Sequence, residues 1–214
     1  MGPEDPAATR GGEKEVAAVP TGVALRDARR QLFDAAERVL LRDGAYALTS
    51  RAVTTEAGCA KGVLHRHFVD FDDFLVELVR DRAVRIEAQA GELLQAAGTG
   101  TVVGNLSAAL TEVFGSIVVS ILSLTIARDE VRTRLRSDGS RGLPLVREIV
   151  RMVADYLRAE RDLGRVLADA DIASLAPNLV GAAHLRFVDY DPAPPRDEDV
   201  QHFVRTMLGG VLAR

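Results

Sequence analysis

Apolar side chains recur at intervals of three and four along most of this chain, the spacing that gathers them on one face of an α-helix. No segment shows the alternation of a half-buried strand. Leu25, Ala28, Leu32, Ala36 and Val39 form one stripe, with Arg26, Arg29, Arg30 and Arg38 on the opposite face, so a first amphipathic helix is predicted. Phe71, Phe74, Leu75, Leu78, Val79 and Ile86 form a longer stripe. Asp70 with Asp73 three residues on is a capping-box-like start for it, and this long helix is predicted to end near Gly98. After a GTGT linker, helices are predicted over 101–137 with one break, then over 143–161, 172–188 and 197–213. Asp169 and Asp171 are placed to cap the 172–188 helix, and Pro177 inside it predicts a kink or a fresh start. The first 22 residues, rich in Gly, Pro and charge, carry no apolar period and predict a disordered extension.

Residues 47–68, ALTSRAVTTEAGCAKGVLHRHF, read as two short helices joined by a glycine turn. Thr49 and Ser50 supply hydroxyl caps for the first, which stops at Gly58. The second is predicted from Ala60 to His67, with Val63, Leu64 and Phe68 spaced to face a small core. Lys61, His65, Arg66 and His67 then point outward. This is the helix-turn-helix pattern, whose second helix enters the major groove of DNA. In that docking Thr49, Ser50 and Arg51 approach the phosphate backbone or an edge base, and Lys61, Gly62, Val63, His65 and Arg66 lie on the reading helix. His67 meets a phosphate. Lys61 suits a guanine edge and Val63 a thymine methyl.

Between Ala28 and Leu78 the chain resembles the TetR (tetracycline-repressor) family of bacterial one-component regulators. The resemblance is carried by Ala36, Gly44, Thr49, Ser50, Arg51, Ala57, Gly58, Lys61, Gly62, Leu64, His67 and Phe68. It implies an all-α homodimer, in which an N-terminal three-helix DNA-binding head is joined by a long fourth helix to a C-terminal helical ligand-sensing and dimerisation body. The expected divisions are an extension over 1–22, the head over 23–69 and the body over 70–214. Three positions depart from the family's pattern. His65 stands where a phosphate-touching Tyr is usual, Ala60 replaces a hydroxyl cap of the reading helix, and Phe71 replaces a phosphate-binding Lys. Asp70, Asp72 and Asp73 beside Phe71 suit a helix N-terminus but repel a phosphate.

A formal charge of −4 over 214 residues is a poor match to nucleic acid until it is divided. Residues 23–69 hold eight Lys and Arg against five Asp and Glu, net +3, whereas 70–214 hold 17 against 22, net −5. The positive sign sits on the helix-turn-helix and predicts a salt-sensitive association with double-stranded DNA. Two-fold symmetry would pair two reading helices on a palindromic operator, with half-sites about 34 Å apart or a multiple of it. One cysteine leaves no intramolecular disulfide and fits a reducing, cytoplasmic setting. The longest uncharged run, Val113 to Ala127, has 15 residues, short of the roughly 20 that a membrane span needs, and predicts a buried helix.

In the body, Glu112, Ser116, Ser120 and Ser123 form a thin polar stripe on an apolar background, as a ligand pocket would, or as a helix admitting a close neighbour would. Phe114, Ile117, Met152, Tyr156 and His184 are further candidates for a pocket wall. Val200, Phe203, Val204, Met207, Leu208, Val211 and Leu212 make a seam on the last helix. With Leu179 and Ala183 of the preceding helix, it reads as half of a four-helix dimer interface, or as an intramolecular core. The expected function is a dimeric repressor released from DNA by a small molecule whose differential affinity shifts the head spacing. Alternatives are a DNA binder without small-molecule control and a helical enzyme. No catalytic group, metal or cofactor is expected. His65 and His67, two apart on a helix, diverge by about 200° and cannot share an ion. GTGTVVG lacks the preceding strand and the Gly-Lys-Ser/Thr of a phosphate loop.

Overall fold

The computed structural model describes residues 22–115, 117–137, 144–188 and 195–213. Among these the chain is all-α, and the one β pairing is an isolated antiparallel bridge between Val166 and Leu212. The expected extension lies outside the described residues except for Gly22, which opens helix α1 (Gly22–Asp43). A 3-10 turn (Ala45–Ala47) leads to α2 (Ser50–Glu56), α3 (Gly62–His67) and the long α4 (Phe71–Gln95). Leu32, Ala36 and Val39 of the first stripe are buried in the same apolar core as Leu48, Val53, Leu64 and Phe68. Phe33, Phe68 and Phe74 close it, with ring centroids 5.0 to 5.8 Å apart. Arg29 lies over Phe68 at 4.5 Å and bonds Glu77 at 2.7 Å, tying α1 to α4.

The single segment predicted over 101–137 is three helices: α5 (Val102–Phe114), α6 (Val118–Ala127) and α7 (Asp129–Ser137). The first break needs glycine, because a Cβ on Gly115 would stand 2.5 Å from the Thr111 carbonyl oxygen. Then come α8 (Pro144–Asp162), α9 (Ile172–Val188) and α10 (Asp197–Leu208). Asp171 caps α9 by accepting from the Ser174 amide at 3.1 Å. The helix passes through Pro177 without a fresh start; the proline sits in its second turn and forgoes one bond, to an exposed residue.

Helix α8 packs along α4, while α9 and α10 close over α8 and α5. At the far end of the body Tyr156 donates to Glu160 at 2.5 Å and accepts from Asn105 at 3.0 Å, and Asn105 also donates to the Ala96 and Thr99 carbonyls. Arg165 pairs with the fully buried Glu160 at 3.3 Å and bonds the Gly100 carbonyl. Burial beside a carboxylate pushes the Tyr156 phenol well above its usual range, which keeps it a neutral donor.

The apolar seam of the last helix is covered within the chain, the second of the two readings its spacing allowed. Leu179, Ala183, Val200, Phe203, Val204 and Leu208 are buried inside this one chain, α10 against α5 and α9. Met207 is half-buried, and Val211 lies beyond the helix, which stops at Leu208. The Val211 carbonyl accepts from the Leu167 amide at 2.8 Å. An amphipathic stripe records that a face is covered and is silent on whose side chains cover it. No single described helix is long and apolar enough to cross a membrane; only α5 and α6 together, bent at their break, match by length and composition.

Candidate nucleic-acid interface

The hydroxyl of Thr49 accepts from the Ala52 amide at 3.1 Å and starts α2, as the cap pattern predicts. Helix α2 ends at Glu56 with Ala57 as its C-cap, and Gly58 turns the chain at φ +65, a left-handed conformation that costs an L side chain about 1 kcal/mol. Helix α3 then begins at Gly62, two residues later than expected. No side chain caps it, and the N-cap position is held by Lys61 and not by Ala60. Leu64 is buried and anchors α3 on the head core, while Val63 and His67 are half-buried. Lys61, Gly62, His65 and Arg66 are exposed on the outer side of α3, and Thr49 and Arg51 are exposed at the start of α2, with Ser50 half-buried.

Ion pairing sorts the basic side chains of the head into two sets. Arg38 and Arg42 both grip Glu56, at 2.7 and 2.8 Å, and fasten the end of α2 to α1. Their two guanidinium groups hold the Glu56 carboxyl below the usual carboxylate range. Arg29 is likewise engaged. Arg51, Lys61 and Arg66 make no ion pair among the described residues, so their charge is available to an outside anion. Composition alone does not separate the two sets, because Glu56 reaches its partners only once α1 and α2 are packed.

The start of α4 differs from the expectation of a bare acidic patch. Asp70 accepts from the Asp73 amide at 2.7 Å and Asp73 accepts from the Val69 amide at 3.0 Å, so the predicted cap is reciprocal. Two body arginines cover the remaining charge. Arg134 of α7 takes both oxygens of Asp70 at 2.9 Å, and Arg128, between α6 and α7, bonds Asp72 at 3.0 Å while lying 5.4 Å over Phe71. The Arg134 guanidinium, helped by the Asp73 amide, holds the Asp70 carboxyl below the usual carboxylate range. The phosphate-repelling cluster is therefore largely neutralised from within, and the base of the head is clamped to the body.

Among the described residues, the candidate ligand residues are spread over several surroundings. Met152, Tyr156, Phe114 and Ile117 are packed in the core. Glu112 is exposed and accepts from Gln89 at 2.7 Å. Ser123 lies on α6, bonded back to the Val119 carbonyl at 3.1 Å, and Ser120 is half-buried. Ser116 is outside the described residues. The stripe was continuous only for one unbroken helix, and Gly115 divides it. His184 packs beside Phe114, ring centroids 6.2 Å apart, with Nδ1 buried and unpartnered among the described residues.

Residues 32–78 match the sequence profile of the bacterial regulatory proteins, tetR family. No curated protein matches the chain. Solved structures do. A TetR family transcriptional regulator from Agrobacterium tumefaciens aligns with TM-score 0.66 at 16% identity, over 88% of this chain and 100% of that one. A transcriptional regulator from Saccharomonospora viridis in complex with choline gives 0.64 at 17%, over 88% and 100%. The ketosteroid transcriptional regulator of Mycobacterium tuberculosis gives 0.58 at 19%, over 87% and 95%. At these identities the likeness is one of fold.

Proposed function

We propose that this chain, whose residues 32–78 match the tetR-family profile, is a TetR-family dimeric repressor, cytoplasmic, binding a palindromic operator and released by a small molecule. The observation that carries the DNA-binding part is the exposed, unpaired trio Arg51, Lys61 and Arg66 on a helix-turn-helix in which Arg29, Arg38 and Arg42 are already engaged. Exposed, unpaired cations on a reading helix gain counterion-release energy from phosphates without first breaking an internal pair. The working division is a head over 23–69 and a sensing body over 70–214. His65 and His67 add hydrogen bonding more than fixed charge near neutral pH.

We place the dimer contact on a surface other than the seam that is buried within the chain. The outer face of α9 offers Pro177, Gly181, Leu185 and Val188 at helical spacing, with Leu185 65% exposed. Small and apolar residues on one helix face suit close packing against a symmetry mate. One structural neighbour holds choline and another is a ketosteroid regulator, which supports control by small molecules without indicating one chemistry for this chain.

A second reading, a DNA binder answering to a protein or to no effector, draws support from the packed state of Ile117, Met152 and Tyr156. Selecting genomic DNA fragments on the pure protein and sequencing them, then repeating with candidate molecules, separates the two. The repressor reading expects a palindrome released by one compound. A palindrome that no compound releases favours the second reading, and the absence of any enriched sequence removes both.

A further inference from the structure

We infer that the recess between α5 and α10 is a binding site for a small organic amine carrying at least two cationic N–H groups. Gly104, Ala108 and Thr111 recur along the α5 face that meets α10, and their small side chains leave a cavity of about 320 Å³ walled on the far side by Asp197 and Gln201. That volume lies at the lower end of the range of about 300 to 1,000 Å³ typical of small-molecule sites.

Ser107, also lining the recess, is only 3% exposed, and its hydroxyl has no hydrogen-bond partner among the described residues. Elsewhere in this fold helical hydroxyls bond the carbonyl four residues back: Thr54 to Ser50 at 2.9 Å, Thr125 to Ile121 at 2.8 Å and Thr206 to His202 at 2.8 Å. An unsatisfied buried hydroxyl is costly unless a guest supplies its partner.

The charge of the recess selects the guest. Glu112 and Asp197 stand on its two walls, and no Lys or Arg lines it. Asp197 makes no ion pair among the described residues, whereas its neighbours Glu198 and Asp199 both pair with Arg196. One oxygen of Glu112 accepts from Gln89, and the Arg82 guanidinium lies within electrostatic reach of the same carboxylate, so Asp197 carries the larger share of the uncompensated charge. An anion would be repelled. A metal ion is a poor fit as well, because nowhere among the described residues do three His, Cys, Asp or Glu side chains converge. A cation with two charged ends suits a recess lined by both carboxylates, with Ser107, Thr111 and Gln201 in the same lining as neutral acceptors. Such a ligand would bridge α5 to α10. Its role as an effector rests on the repressor reading; its binding does not.

Isothermal titration of the full chain with 1,4-diaminobutane tests the site, with 1,4-butanediol and Mg²⁺ as neutral and point-charge controls. One saturable diamine site per subunit is expected, weakened about tenfold by Asp197→Asn or by Glu112→Gln, and less by Ser107→Ala. Circular dichroism melts confirm that each variant is folded. Absence of saturable diamine binding, displacement of the diamine by Mg²⁺, or unchanged affinity in the Asp197→Asn, Glu112→Gln double variant overturns the site. A protein that binds the diamine but no DNA loses the repressor reading and keeps this site. One that binds DNA and ignores the diamine loses only this site.

Discussion

Lys61 stands at the turn into α3, exposed and without an ion pair among the described residues, so removing it takes away a charge and little else. Lys61→Ala is expected to weaken DNA binding nearly uniformly across sequences and to lower the slope of log affinity against log salt by about one. Unchanged affinity and slope in filter binding at several salt concentrations would take Lys61 off the interface. Thr49 acts differently, since its hydroxyl satisfies the Ala52 amide. Thr49→Ala should cost about 1 kcal/mol of stability in urea unfolding, because an N-cap bond is lost and water replaces it imperfectly. If the variant is as stable as the parent, the cap is a geometric coincidence. Both positions were legible in the chain itself, because capping and charge at a turn are local properties that a few neighbouring residues decide.

Contacts between distant elements were not legible in that way. Asp70 and Asp73 announced a helix start by their spacing, but Arg134, the partner of Asp70, is 64 residues further on. Arg128 and Arg134 reach the base of the head only after α7 has packed on α4. The polar stripe Glu112 to Ser123 is divided for a related reason: its regularity assumed one helix, and the chain breaks at Gly115 between α5 and α6. The Arg134 clamp carries a pH signature. Asp70 has a folded-state pKa below its unfolded value of about 3.9, so the pair's contribution is fully present above that value and is lost as pH falls through the lower folded pKa. Arg134→Ala should return the Asp70 titration upward towards the ordinary range in side-chain NMR. It should also speed amide exchange at Val69 and Asp73, whose amides depend on the Asp70 and Asp73 carboxylates. The stability gap between parent and variant should narrow at acid pH. A gap that stays constant down through the acid transition would mean that Asp70 is not the group being held.

At the scale of the whole molecule, the all-α fold followed from periodicity because helices of this length bury a continuous face, whoever covers it. What periodicity does not contain is whether the cover belongs to the same chain. Leu208 and Leu185 are a matched pair for that question: both are leucines near the C-terminal end of a helix, on α10 and α9 respectively, one fully buried in the subunit and one 65% exposed. Leu208→Ala should therefore lower stability by about 2 to 5 kcal/mol, as expected for a truncated core leucine, and leave the association state of the folded protein unchanged. Leu185→Glu should do the reverse, shifting sedimentation velocity towards monomers with little change in the unfolding midpoint measured on monomer, because a charge placed on an apolar contact between subunits is desolvated only on association. DNA affinity should fall with the dimer, since one reading helix spans only a few base pairs. A Leu185→Glu protein that sediments as the parent does would place the subunit contact on a face other than the outer side of α9.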